Sequence, residues 1–157
     1  LASRLLFTDM ARGMIPMSEQ YGSDEIRWYF RTLFELAPPI TDVDEYLDAL
    51  AARSALARRW LTLLEDFPTI VCPLLTRGLL AVDEDFRDTP TLYAIWQSLY
   101  PSISVNLMGL PAAMVPTGLH AGLPTGVQVI GGRFREDRCL ATAELIEAAT
   151  PVTTPPG

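Results

Sequence analysis

Histidine, cysteine and lysine, the residue types most used as base, nucleophile and metal ligand, are scarce or absent in this sequence, and the spacing of those present works against them. His120 is the single histidine, set in the glycine-flanked stretch Gly118-Leu-His-Ala-Gly122, where a solvated turn is expected. Cys72 and Cys139, the two cysteines, lie far apart among apolar neighbours and are expected to be buried, reduced thiols. One histidine and two separated cysteines cannot assemble a zinc site, so no metal is expected. All 12 basic residues are arginines. Without lysine the chain supplies no Schiff-base amine, no P-loop and no Ser–Lys pair, because arginine keeps its proton to a pKa above about 12. No serine stands at Gly-x-Ser-x-Gly spacing, and Gly131-Gly132 lacks the third glycine of a dinucleotide loop. Asp83 and Asp85 lie in a polar loop, where solvated charge accounts for them better than acid–base work. Taken residue by residue, the catalytic set is empty and no cofactor is implied.

The composition fits this bland inventory. At 49% hydrophobic and 20% charged, the 157 residues suit one globular domain and exclude disordered or fibrous classes. A net charge of -7 with no basic stripe argues against nucleic acid as a partner. Gly and Pro interrupt every apolar run short of the roughly 18 residues needed to cross a bilayer, so no membrane partner is expected. Reduced thiols suit a cytoplasmic setting. A chain of this mass should expose roughly 7,800 Å² once folded. The chain opens Leu1-Ala-Ser-Arg4 without a methionine or a signal pattern, as a processed protein or part of a longer one would.

Residues 1–65 form the expected helical part. Ser23 can cap a helix carrying Ile26, Tyr29, Phe30, Leu33 and Phe34 on one face, broken at Ala37-Pro38-Pro39. Thr41 is the expected cap of a longer helix ending near Glu65, with Val43, Tyr46, Leu47, Leu50, Ser54, Ala57, Leu61 and Leu64 as its apolar stripe and Arg53 off it. Residues 66–150 form the expected sheet-contributing part. Thr69–Cys72 reads as a buried strand, Thr89-Pro90 as the start of a short helix closed by Pro101, and 112–115 and 126–130 as two further strands. Residues 116–124 would connect those two strands in a hairpin-like loop, with Pro111 and Pro116 fixing strand ends and Gly109 and Gly126 allowing close backbone approach. A helix over 136–149 should turn Leu140, Ala143 and Ile146 to the core, and 151–157 should be a loose tail. Three short, near-continuously apolar strands want cover on both faces yet leave open edges. The fold class is therefore α/β, with the remaining sheet expected in sequence not present here.

One stretch carries a longer pattern. Asn106-Leu-Met-Gly-Leu-Pro-Ala-Ala-Met-Val-Pro-Thr-Gly118 is followed by Gly122-Leu-Pro-Thr-Gly-Val-Gln-Val-Ile-Gly131 and Phe134-Arg-Glu136. Upstream stands Glu65-Asp-Phe-Pro-Thr-Ile-Val-Cys-Pro73. Together these resemble the C-terminal portion of the amidase signature family, specifically over 66–150 and loosely over 1–65. The resemblance implies a large mixed sheet flanked by helices, and an amide hydrolase acting through an acyl-serine. Its apparatus is a serine nucleophile, a second serine with a cis peptide bond, and a lysine, in a Gly/Ser-rich signature that precedes the matched region. This sequence has neither the signature nor the lysine, so the resemblance transfers no catalytic residue.

It does imply supporting roles. Trp96, Ile103 and Ser104 are the expected substrate-pocket wall. Asn106 and Gln128, polar among apolar neighbours, either satisfy backbone as buried amides or support the catalytic loop. The implied partners are a small-molecule amide and the missing N-terminal portion of the same fold, with a homodimer left open. The rival reading is a non-catalytic remnant or a module that binds a partner.

Overall fold

The computed structural model describes residues 2–150. The tail expected over 151–157 lies outside the described residues. Three helices come first: α1 (Ala2–Tyr21), α2 (Asp24–Leu36) and α3 (Val43–Asp66). Ser23 caps α2, its Oγ accepting from the Ile26 amide at 3.4 Å. α3 starts a residue later than expected, because Asp42 and not Thr41 takes the cap, Oδ1 accepting from the Glu45 amide at 2.8 Å. A carboxylate makes the stronger bond to an orphan N–H at the positive end of the helix dipole.

The buried stripe of α3 is also rotated from the expected one. Val43 and Leu47 are 69% and 56% exposed. Ala49, Ala57 and Leu64 are buried, with Tyr46, Leu50, Arg53, Leu56, Trp60 and Leu61 half-buried beside them. Those positions keep a 3.6-residue period and take in Arg53, whose charge predicts a place off the stripe.

The rest of the chain runs β1 (Thr69–Pro73), a 3₁₀ turn at Glu84–Phe86, α4 (Thr89–Ser98), α5 (Tyr100–Met108), β2 (Ala112–His120), β3 (Leu123–Gly131) and α6 (Glu136–Ala149). Pro101 does not close a helix. It opens α5 from the first turn, where its missing N–H has no partner to lose, while Asp88 caps α4 through the Thr91 amide at 2.7 Å. β2 and β3 outrun their apolar cores and meet at a two-residue turn, Ala121-Gly122, both at positive φ (51° and 79°) as a tight hairpin requires. His120 therefore ends a strand and is not in the turn. Pro116 sits inside β2, and Gly126 passes so close to its neighbour that a Cβ there would lie 2.7 Å from the Val115 carbonyl oxygen.

Among the described residues the strands form one antiparallel sheet in the order β1-β3-β2. Directly paired residues share a face. Ile70, Cys72 and Ile130 look towards α3 and α5, where Ala57, Leu64, Val105, Met108 and Leu110 complete the main core. The other face carries Thr69 and Gly131 and is covered by α6: Thr142 Oγ1 lies 3.2 Å from Thr69 Oγ1, and a Cβ on Gly131 would sit 2.7 Å from Cys139 Sγ. Helix–sheet–helix layering is the α/β arrangement expected. Within α6 the buried residue is Cys139, whereas Leu140 faces water at 59% exposure.

β1 is not the buried strand its composition suggested. It is an edge, and Val71 on it is 48% exposed. Leu74, Leu79, Val82, Met114 and Leu123 are exposed as well. The molecule exposes 9958 Å², against the roughly 7,800 Å² of a compact chain of its mass. Even if every residue outside the described range kept its full unfolded exposure, about 160 Å² each, a surplus of about 900 Å² would remain. Among the described residues no helix is long and apolar enough to cross a membrane.

Candidate functional site

A cleft of about 590 Å³ lies between the segment that leaves β1 and the far end of the β2–β3 hairpin. Its lining is mostly aliphatic, with Leu74, Leu75 and Leu79 on one side and Met114, Val115 and Leu123 on the other. The first wall is sewn to the α4–α5 junction. Ser102 Oγ donates to the Leu74 carbonyl at 2.8 Å, and the Thr76 amide donates to the Ser98 carbonyl at 3.0 Å. The one arginine on the lining, Arg77, is tied off by Glu84 Oε1 at 2.5 Å. The Glu84 carboxyl is held below its ordinary range, first by the Ala81 amide that donates to it at 2.9 Å and then by Arg77. An uncharged, apolar group fits such a lining, on which Arg77 is already paired and His120 is the other basic side chain.

Gln128 lies on the neighbouring strand, 2% exposed. Its Nε2 donates to the Pro73 carbonyl at 3.2 Å and to Cys72 Sγ at 3.3 Å, pinning the end of β1 at the point where the cleft begins. The amide thus satisfies backbone and, in doing so, fixes the cleft's first residue.

The other sequence-expected residues separate into two groups. Trp96 joins an aromatic cluster away from the cleft, edge-on to Phe7 at 4.9 Å, with Nε1 donating to Tyr29 Oη at 3.2 Å. Ile103 is buried and Ser104 half-buried on α5. Ile103 and Asn106 come together around a small hollow of about 170 Å³, with Asp9 and Arg53 on its other side. Asn106 is exposed, so the buried amide expected there is not found.

What the Asn106-x-x-Gly stretch does is end a helix. Gly109 takes φ +62°, the left-handed conformation that a β-carbon would strain by about 1–2 kcal/mol. With it, the Leu110 amide returns to the Val105 carbonyl at 3.2 Å and the Gly109 amide to the Asn106 carbonyl at 3.1 Å, the bond pair of a Schellman turn. Two terminal carbonyls of α5 are left over. Arg53 Nε donates to Leu107 and Arg133 Nη2 to Met108 at 3.2 Å, so two cations close the negative end of the helix. Sequence reading missed both arginines. The signal for Arg53 was available, since it stands three residues from Leu50 and four from Ala57 on the buried stripe.

Cys139 is not set up as a nucleophile. Burial, and then the charges of Glu136 and Asp137, push the Cys139 thiol up, and its Sγ lies 3.5 Å from the Pro111 carbonyl oxygen. Among the described residues no three His, Cys, Asp or Glu side chains gather as a metal group.

The described residues form an α/β layer with an apolar cleft, and comparison with known proteins gives the family. Residues 9–140 match the Amidase family model, and the chain belongs to the amidase family. It is 34% identical over 109 residues to the indoleacetamide hydrolase of Bradyrhizobium diazoefficiens, covering 69% of this chain and 21% of that protein. It is 32% identical over 148 residues to one of the subunits of the glutamyl-tRNA(Gln) amidotransferase of Geobacillus thermodenitrificans, covering 91% of this chain and 30% of that one. A solved structure of 6-aminohexanoate cyclic dimer hydrolase complexed with substrate superposes on 99% of this chain with a TM-score of 0.70 at 21% identity, using 36% of its own length. A structure described as an amidase does so over 95% of this chain with a TM-score of 0.68. The two superpositions bear on the fold alone. The chain thus spans between a fifth and somewhat over a third of these relatives' lengths.

Proposed function

We propose that this chain is the non-reacting portion of an amide hydrolase. The enzyme cleaves a carboxylic amide with water to the acid and ammonia or an amine. A serine oxygen attacks the carbonyl, the amine leaves with a proton from the lysine relay, and water then releases the acid from the acyl-serine. Serine and lysine both belong to the portion of the fold that this chain does not span. The observation that carries the reading is the cleft of about 590 Å³, aliphatic and with its arginine already paired, on a family member that has no lysine of its own.

In this reading the cleft is one wall of the acyl pocket. Ile103 and Ser104 lie on α5, the helix that Ser102 ties to that wall, and Trp96 holds α4 against α1. Gln128 keeps Pro73, and so the start of the wall, in place. The relative named for indoleacetamide and the aliphatic lining both favour a primary amide with an apolar acyl group. We place the enzyme in the cytoplasm, where its two free thiols stay reduced.

A fluorophosphonate that reacts only with activated serines tests the division of labour. In an assembly of this chain with the remaining amidase portion, the label is expected on a serine of that other portion. Label on Ser98, Ser102 or Ser104, the serines beside the cleft's first wall, would contradict it.

A further inference from the structure

The cleft between the segment leaving β1 and the β2–β3 hairpin has mostly aliphatic walls and few polar side chains. Two of those are engaged inside the chain. Arg77 is held by Glu84 at 2.5 Å, and Thr125 Oγ1 donates to the Gly118 carbonyl at 3.2 Å within the hairpin. His120 differs from both. It is exposed at the last residue of β2, and among the described residues no hydrogen bond within the chain takes up either ring nitrogen. A neutral imidazole offers one donor and one acceptor. Solvation alone accounts for a histidine on an open turn, but this one is a strand residue on the lining of an apolar cleft. Leu79, Met114 and Leu123 stand half-exposed around the same space. In such a pocket a single available polar group fixes a ligand's orientation and supplies specificity.

The hairpin sets how far a ligand must reach to meet it. Pro73, where the cleft begins, pairs with Val127, and His120 pairs with Leu123, four residues nearer the turn on β3. Four residues of strand span about 13 Å. We propose that His120 reads the far end of the acyl group, and that the preferred amide has an apolar acyl chain about 13 Å long ending in a neutral hydroxyl or N–H. The proposal rests on the reading of the cleft as the acyl pocket. In that reading the carboxamide lies by Pro73 and Gln128, and the polar end of the acyl chain lies by His120. A hydroxyl both donates and accepts, so it meets either ring nitrogen, whereas an N–H meets the unprotonated one. A hydrocarbon tail leaves the imidazole to water, and a short acyl group is held by the aliphatic walls without reaching it.

The 157-residue chain is titrated with 6-(4-hydroxyphenyl)hexanamide and with 6-phenylhexanamide, which differ only in an oxygen at the end remote from the carboxamide. Binding is followed by the methyl signals of Leu79 and Leu123 and by the imidazole C–H signals, which the chain's single histidine makes unambiguous. The hydroxylated amide is expected to bind about three- to tenfold more tightly, the worth of one partly solvated hydrogen bond. His120→Phe should abolish that preference without lowering the melting temperature, because the residue is exposed. Leu123→Ala, which removes apolar wall from both ligands alike, should weaken both and keep the preference. Equal affinities in the unmodified chain, a preference that survives His120→Phe or vanishes with Leu123→Ala, or unmoved Leu79 and Leu123 methyls with either amide would each overturn the proposal. Ammonia release from the same two amides, measured in the assembly with the remaining amidase portion, separates the proposal from the reading beneath it. Selective binding without release removes the proposed function and leaves the His120 site. Release with one kcat/KM for both amides keeps the function and removes the proposal.

Discussion

Gln128→Leu in the assembled enzyme is expected to lower kcat about 10- to 100-fold with KM nearly unchanged, the range seen when a residue that orients a catalytic element is lost. Gln128 touches no reacting atom in this reading. Its amide holds the Pro73 carbonyl at 3.2 Å and Cys72 Sγ at 3.3 Å, where β1 turns into the cleft wall. Leucine fills the same volume but leaves that carbonyl without its donor, so the first residues of the wall and the loop that meets them lose their fixed position. A purely structural role predicts something else: a lower melting temperature with kcat intact. Steady-state kinetics and a melt on the same preparation separate the two, and Gln128→Glu, which keeps an acceptor but loses the donor, should behave like the leucine variant.

Met108→Ala should destabilise the fold by about 2–5 kcal/mol, the cost of emptying a large buried side chain into a core that relaxes only partly. Met108 is 0% exposed and joins α5 to α3 and the sheet through Leu64, Leu110 and Ile130. It is also the residue whose carbonyl Arg133 closes, so a collapse of α5 into the vacated space disturbs that cap as well. A shift of about 2–4 °C in Tm per kcal/mol puts the expected fall at about 4–20 °C. Leu145→Ala on α6, at 72% exposure, is the comparison and should change stability by less than about 0.5 kcal/mol. Equal effects at the two sites would mean that α5 is not packed as described.

Much of the architecture was legible because local signals and burial agreed. Ser23 with Asp24 and Glu25 can only begin a helix, and Ala37-Pro38-Pro39 can only end one; α2 lies between them. The α6 range and the β-branched strand cores were equally plain. Illegible features were those decided by partners distant in sequence. Nothing in Thr69–Pro73 says that its strand is an edge, because β-branched apolar residues serve edge and centre alike until the neighbours are known. Pro101 has the same chemistry whether it ends one helix or begins the next, and the four residues of spacing between Gln97 and Pro101 do not choose. Arg53 looked like a solvated charge because its acceptor, the Leu107 carbonyl, lies on another helix.

The candidate site was legible in a different proportion. The family pattern around Asn106 and Gln128 stood out as a string of residues, yet its physical content is a helix terminus, a tight hairpin and a pinned strand end. Of the two amides, Gln128 is buried against β1, while Asn106 contributes its main-chain carbonyl to the end of α5. The aliphatic cleft itself had no sequence signature. Leu74-Leu75 and Leu79 resemble any apolar loop until the hairpin tip comes to lie opposite them.

The most direct measurement is ammonia release from an arylacetamide, made with the 157-residue chain alone and again with the complementary amidase portion present. The chain alone should release none above the uncatalysed rate. The assembly should release ammonia at a rate abolished by the fluorophosphonate. Release by the chain alone, unaffected by serine reagents, would contradict the assignment of the chemistry to the other portion of the fold.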